Sequence, residues 1–197
     1  MMVTMPSETD KDYSFGRFCC AVLLLLVGLA VGTAVADWIN AMPTETLPPI
    51  TADRTAGQER SDWELFVFIL RRNMTVYVML LLGVVSAGLV TVAVLLGNGL
   101  AVGQLIGFAR VSGMSNLDIA NLLLPHGVLE LGTLCIAGAV GLQGIPLALR
   151  VSSLDWSSIK SLRLGTALLF GLGALAAAAA VEAFVTADIA ESLRVER

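Results

Sequence analysis

The sequence predicts an all-α protein, a polytopic transmembrane helical bundle that contains a broken or re-entrant segment. The first observation is composition: of 197 residues, 56% are hydrophobic and only 14% are charged, whereas soluble domains carry about 25% charged residues. The second is a set of four apolar stretches that are each long enough to cross a bilayer, which takes about 20 residues in a helix. The third is a pair of shorter apolar pieces that are separated by a polar, turn-rich stretch.

The four long stretches give the order of the predicted spans. None of them contains more than one charged side chain, which is Glu130 in the third and Glu182 in the fourth. The predicted spans are Phe18–Ala36, Met74–Leu96, Val128–Leu149 and Leu164–Val185. We expect a multi-pass protein of the cell membrane whose main surroundings are the lipid bilayer.

The first span has an alternative interpretation. Lys11 and Arg17 precede it, and the small residues Ala34-Val35-Ala36 come directly before Asp37, as in a signal peptide and its cleavage site. Because such endings also arise by chance in alanine-rich helices, we favour an uncleaved anchor with a cytoplasmic N-terminus.

The region between the second and third spans predicts the broken segment. Gly99–Ala109 and Leu117–Leu124 are apolar but too short to cross alone as helices, and a polar turn-rich stretch separates them. Short apolar pieces interrupted by glycine are typical of re-entrant elements. Asn98, between two glycines, favours a break there. The alternative is one long helix from Met74 to Ala109.

The chain divides into three parts on this basis. Residues 1–36 are the tail and first span, and residues 74–197 are a membrane domain with three long spans and two short helical segments. Between them, residues 37–73 form a proline-containing loop and an amphipathic helix over Asp62–Leu70, which Ser61 or Asp62 can cap. We expect this helix to lie along the interface, with Arg71 and Arg72 at the membrane edge.

Charge and cysteine content exclude two classes of function. The net charge of −4 leaves no basic patch to neutralise phosphates, so we expect no nucleic-acid partner. Cys19, Cys20 and Cys135 all lie in apolar stretches, which indicates reduced packing residues rather than a disulfide framework.

Glycines at four-residue spacing predict close helix packing. In lipid, apolar contact gives little drive for helix association, and small residues let two backbones approach. The glycines in this pattern are Gly28, Gly32, Gly99, Gly103 and Gly107. Their faces can pack within one bundle or between copies, and we expect a homo-oligomer such as a homodimer, or contacts with other membrane proteins.

The polar residues inside the apolar stretches are the candidates for function, because ionisable groups in a membrane are costly. His126 and Glu130 share a helix face, and Pro125 fits the first turn of that helix. The plain interpretation is that Glu130 bonds His126 or a neighbouring helix and locks the bundle. A proton or solute pathway through His126, Glu130 and Glu182 is the main alternative.

Catalysis and metal binding are less well supported. One histidine with Glu130 supplies two ligands, whereas catalytic zinc usually takes three from the protein. No G-x-S-x-G or H-E-x-x-H motif occurs, and no nucleophile stands beside His126. We therefore expect no catalytic residues, no metal and no cofactor, and an intramembrane hydrolase is the least favoured function.

Several motifs together resemble the stage II sporulation protein M family of integral membrane proteins, over roughly Trp63 to Val185. The most specific motif is Pro-His-Gly-x-x-Glu-Leu, at residues 125–131. The others are Phe68-Ile69-Leu70-Arg71-Arg72-Asn73, Gly97-Asn98-Gly99 followed by Gly103, and Val181-Glu182-Ala183-Phe184-Val185-Thr186. The chain departs from the family pattern at Arg72, where an asparagine is common, and at Gly132-Thr133, where Pro-Ala is common.

The resemblance implies a role and a set of site residues. The founding members of the family are membrane scaffolds that hold peptidoglycan-degrading enzymes during engulfment of the forespore, and the wider family occurs in bacteria and archaea that do not sporulate. The resemblance thus implies a non-enzymatic scaffold or assembly factor with partners in the cell envelope. Its shared polar residues correspond here to Asn73, Asn98, His126, Glu130 and Glu182.

Overall fold

The computed structural model describes residues 8–42, 61–149 and 164–186, and over these residues every regular element is helical. The α-helices are α1 (Glu8–Asn40), α2 (Asp62–Leu81), α3 (Leu89–Val111), α4 (Asn116–Gly141), α5 (Gly144–Leu149) and α6 (Leu164–Val181). A 3-10 turn, Leu82–Val84, follows α2, and a π-helical turn, Glu182–Thr186, follows α6. The predicted all-α class is confirmed.

Five stretches of the described chain, rather than the predicted four, are long and apolar enough to cross a membrane. They are Ser14–Asn40, Asp62–Val84, Leu89–Val111, Gly127–Leu149 and Leu164–Phe184. The first, fourth and fifth contain or nearly match the predicted spans. The additional span comes from the region where the sequence predicted one span and a broken segment.

The predicted second span, Met74–Leu96, is wrong because the chain turns inside it. Gly83 accepts a hydrogen bond of 2.7 Å from the backbone of Gly88, and both Ala87 and Gly88 have positive φ, 52° and 80°. Apolar residues surround this turn, so hydropathy alone does not reveal it. The continuous helix from Met74 to Ala109, the alternative interpretation, is wrong for the same reason.

The re-entrant segment is replaced by two ordinary long helices. Gly99–Ala109 is the second half of α3, and Leu117–Leu124 is the first part of α4. Asn98 does not break α3, because its Nδ2 donates to the carbonyl of Val94 on the preceding turn at 2.8 Å. Only the turn between them, near Gly113, was predicted correctly.

The amphipathic piece Asp62–Leu70 is the beginning of α2 and is continuous with the span that follows it. Residues 73 and 74, where the sequence analysis divided the chain, are therefore consecutive in one helix. Ser61 caps α2, as predicted: its hydroxyl accepts from the backbone of Glu64, whose carboxylate accepts from the backbone of Ser61. A capping box fixes where a helix begins.

Spans that are consecutive in the chain alternate in direction. Gly28 lies against Gly99 and Ala36 lies against Gly107, so contact positions rise together and α1 runs parallel to α3. Helix α4, by contrast, runs antiparallel to α3. Its Gly138 contacts Leu95 and its Gly141 contacts Thr91, so the contact positions rise on α4 and fall on α3. Helix α6 runs antiparallel to α2, since Tyr77 contacts Gly171 whereas Ile69 packs near Ala179 and Ala183.

The glycine faces pack α1 directly onto α3. Gly28, Gly32, Gly99, Gly103 and Gly107 are all buried there. An added Cβ would collide with main-chain oxygens of the facing helix, for example that of Leu96 at Gly28 and that of Leu29 at Gly103. Of the two predicted uses, packing within one bundle is the one observed. These faces are not free to form the predicted homodimer, because α1 and α3 of the same chain already cover them; homo-oligomerisation itself stays a prediction.

The core lies where α2, α3, α4 and α6 meet the middle of α1. Its fully buried side chains include Tyr77, Leu80, Leu95, Leu134 and Leu175. Cys135 is buried in this core as a free thiol, which confirms its predicted packing role, whereas Cys19 and Cys20 are free but exposed on α1. The two adjacent cysteines thus lie on the outer surface of the bundle.

Candidate functional site

Three of the predicted site residues come together between α2, α4 and the end of α6. The side chain of Asn73 hydrogen-bonds Glu130, and Glu130 also interacts electrostatically with Glu182 and with Arg72. We call Arg72, Asn73, Glu130 and Glu182 the polar cluster. Asn73 is only 6% exposed, so its amide is held inside the bundle, where an unpaired polar group would be costly.

The register of α2 explains why Asn73 points inward. The buried residues of this helix are Ile69, Asn73, Tyr77, Leu80 and Leu81, which recur at helical spacing on one face. The apolar face predicted for the beginning of this helix, Trp63, Phe66, Val67 and Leu70, is half correct. Phe66 and Leu70 pack against buried residues, whereas Trp63 and Val67 are exposed, by 65% and 46%. Arg71 and Arg72 are exposed as well.

Arg72 lies deep in the span of α2 rather than at its edge. The hydroxyl of Thr91 on α3 donates a hydrogen bond of 2.8 Å to the carbonyl of Leu80 on α2, so these two residues lie at the same level. Arg72 lies about 12 Å from Leu80 along the helix, at 1.5 Å per residue. Helix α3 runs antiparallel to α2, and the residue at the same distance from Thr91 on α3 is Gly99. Arg72 therefore lies at the level of Gly99, near the middle of α3. The prediction that Arg71 and Arg72 lie at the membrane edge is therefore wrong.

The sequence predicted Pro125 in the first turn of a helix, and this is wrong. Pro125 lies inside α4. The helix begins earlier, with Ser115 as its cap and a capping box to Asp118. A proline inside a helix cannot donate to the carbonyl four residues earlier, here that of Asn121, and it bends or weakens the helix there. Glu130 is consequently remote from the helix N-terminus, and the dipole there does not stabilise it.

Two predicted site residues are not placed in the polar cluster by any described contact. The backbone of His126 belongs to α4, but its side chain lies outside the described part of the structure, so its pairing with Glu130 stays a prediction. Asn98 uses its amide within its own helix, as described above.

Two hydrogen bonds that were not predicted from the sequence join α2 to α6 and α3 to α2. The hydroxyl of Tyr77 donates to the carbonyl of Ala167 on α6 at 2.8 Å, and its ring lies where a side chain on Gly171 would be. The second is the bond from Thr91 to Leu80. Tyrosine and threonine are common in apolar stretches, so neither residue stood out in the sequence. The one indication was Gly171, which leaves room for the Tyr77 ring.

The chemistry of the polar cluster is that of two carboxylates, an amide and a guanidinium. Within residues 8–42, 61–149 and 164–186, no group of three or more histidine, cysteine, aspartate or glutamate residues is suited to hold a metal ion. The hydroxyls of Thr75 and Thr133, which are close in sequence to Asn73 and Glu130, donate to carbonyls one turn earlier on their own helices, at 2.9 and 2.7 Å. The arrangement can hold helices together, and it can also exchange a proton or bind a cation.

Comparisons with known proteins give one family and one distant relative. Residues 21–187 match the model of the family described as stage II sporulation protein M. The match begins at the first span, earlier than the resemblance noted from motifs. An uncharacterized protein of Methanocaldococcus jannaschii is 34% identical over 90 residues, which are 46% of this chain and 50% of that protein. The chain thus spans about half the length of the curated relative it matches. No solved structure matches.

Proposed function

Since this chain belongs to the stage II sporulation protein M family, we propose that it is a non-enzymatic scaffold or assembly factor of the cell membrane, acting with partners in the cell envelope. The chain is a multi-pass membrane protein by its five apolar spans. A scaffold of this kind needs a rigid bundle whose outer surface remains available to partner proteins.

The observation that supports the proposal most is the hydrogen bond between Asn73 and Glu130. It joins α2 to α4 in the interior, so the two polar groups that the sequence marked as functional serve each other. The bond from Tyr77 to Ala167 joins α2 to α6 in the same manner. Because lipid offers little apolar drive for helix association, such bonds are a principal means of fixing a membrane bundle.

Two substitutions at Glu130 test this role. Glu130→Gln keeps an oxygen that can accept from Asn73, whereas Glu130→Leu removes it. We expect the thermal stability of the purified chain, and the set of membrane proteins cross-linked to it in its own host, to survive Glu130→Gln and to be reduced by Glu130→Leu. Loss of the cross-linked partners in a fully stable Glu130→Gln variant would contradict a purely structural role.

A small transporter or channel is the second candidate. It is favoured by the interaction of Glu130 with Glu182 at the end of α6, since carboxylates that lie close together inside a membrane are typical of ion and proton pathways. The pathway would use His126 with these two residues. Proton flux into liposomes that contain the full chain, abolished by Glu130→Gln or His126→Gln without loss of stability, would establish this function in place of the first.

A further inference from the structure

Arg71 is a charged side chain on the outer surface of the bundle, well inside a membrane span. It is exposed, and it belongs to the span Asp62–Val84. It lies nine positions after Asp62, which is about 14 Å along a helix. That is close to half of the hydrocarbon thickness, about 15 Å. Arg71 thus lies near the level of the polar cluster but faces away from it.

The two residues that follow Arg71 in the chain interact with another helix of the bundle, whereas among the described residues the Arg71 guanidinium does not. Asn73 is buried and hydrogen-bonds Glu130, and Arg72, although exposed, interacts electrostatically with Glu130. Successive helix residues are rotated by about 100°, so Arg71 is turned roughly 200° away from Asn73. Among the described residues, no carboxylate pairs with the Arg71 guanidinium, and only its carbonyl is used, by Thr75. A cation facing hydrocarbon is costly, and such side chains normally face protein or water.

The surface around Arg71 has the pattern of a helix-docking seam. Exposed residues follow it toward the far end of the span at intervals of four, three and four, namely Thr75, Val78 and Leu82. This is the spacing at which one helix meets another along its length. Thr75 is small, and its hydroxyl is already bonded to the Arg71 carbonyl at 2.9 Å, so a second helix can approach closely there.

We propose that this seam, Arg71, Thr75, Val78 and Leu82, docks a transmembrane helix of a different protein that carries a carboxylate at mid-span, which pairs with Arg71. The inference rests on the scaffold function proposed above and identifies the face that a partner uses. It also gives the partner a chemistry: an apolar helix with one glutamate or aspartate near its centre.

A second copy of the chain does not fit this face. Two copies inserted in the same direction and related by a two-fold axis would bring Arg71 against Arg71, and like charges in contact repel. The nearest carboxylate on the same helix face, Glu64, is two turns away and accepts the capping hydrogen bond of Ser61. Charge complementarity therefore favours a different, acidic partner helix.

The test uses the full chain in phosphatidylcholine vesicles and a synthetic polyleucine helix with a single central glutamate, leucine or lysine. Energy transfer between labels on protein and peptide gives the affinity. The glutamate peptide should bind about tenfold more tightly than the leucine peptide, from a polar interhelical contact of ordinary strength. Arg71→Leu should abolish the difference, Arg71→Lys should retain part of it, and Arg71→Glu should transfer the preference to the lysine peptide.

Arg110→Leu is the matched control, since Arg110 is also exposed but lies in the last turn of α3 and bonds Asn116. It should leave peptide binding unchanged. Equal binding of the glutamate and leucine peptides to the wild-type chain would overturn the inference. So would Arg71-dependent enrichment of phosphatidylglycerol in mixed vesicles, which assigns the face to a lipid headgroup, or Arg71-independent cross-linking of two Val78→Cys copies.

These outcomes are separable from those of the scaffold proposal. Absence of glutamate-dependent binding removes the seam but leaves the Glu130 experiments as they stand. Proton flux that depends on Glu130 removes the scaffold function but does not alter the affinity of the peptide for Arg71.

Discussion

The contact between α1 and α3 gives the sharpest stability prediction. At Gly103, an added Cβ would collide with the carbonyl oxygen of Leu29 and would lie 2.7 Å from the amide nitrogen of Thr33. Both are main-chain atoms of α1, so no side chain can rotate away and the two helices must separate. Overpacking of this kind costs about 1–3 kcal/mol, so we expect Gly103→Ala to lose that much and Gly103→Leu to lose more.

Gly97 provides the control on the same helix. It has no atom within 4 Å of an added Cβ, and alanine is favoured over glycine in a helix interior by about 1 kcal/mol. Gly97→Ala should therefore be neutral or slightly stabilising. The assay is the free energy of unfolding of the purified chain in mixed micelles, titrated with a denaturing detergent. Equal stability of Gly103→Ala and Gly97→Ala would refute the close parallel packing of α1 on α3.

Two further substitutions test single features of the bundle. Tyr77→Phe removes the bond to Ala167 while the ring remains, and it should lower the unfolding free energy by about 1 kcal/mol in the same titration; an unchanged value would mean that this bond does not contribute to holding α6. Ala87→Gly relieves a positive φ of 52° in the turn between α2 and α3; it should raise thermal stability by about 0.5–1 kcal/mol, and a destabilised variant would contradict that backbone conformation.

Sequence patterns predicted the spans wherever a polar stretch separates two apolar ones. This is why α1, the second part of α4 and α6 were found. The turn from Leu82 to Gly88 was missed because its residues are as apolar as those of the helices around it. Its signals were local: two glycines, and Ser86, whose hydroxyl accepts from the backbone of Val90 at 3.3 Å. Hydropathy measures transfer into lipid, and it does not measure where the backbone reverses.

Polar residues were found more readily than their partners. A glutamate stands out in an apolar stretch, so Glu130 and Glu182 were identified in this way, whereas Asn73, outside the predicted spans, came only from the family resemblance; the structure brings the three together. Asn98 stands out equally but bonds only its own helix. Which of these residues meet depends on the rotation of each helix about its axis, and this rotation is set by packing at distant positions such as Gly103 and Gly141.

The glycine pattern shows the same limit. The spacing of Gly28, Gly32, Gly99, Gly103 and Gly107 predicted close approach, but it could not say whether the facing helix belongs to the same chain. The pairing follows from direction: once the turn at Gly88 adds a fifth span, α1 and α3 run parallel and their glycines meet in register.

The most direct test of the structural role of the polar cluster is a double-mutant cycle between Asn73 and Glu130. The unfolding free energies of the wild type, Asn73→Ala, Glu130→Ala and the double variant give the coupling between the two side chains. A hydrogen bond between α2 and α4 predicts a coupling of about 0.6–2 kcal/mol, as for interhelical polar bonds in other membrane proteins. Losses that simply add, to within about 0.3 kcal/mol, would contradict the claim that these residues lock the bundle.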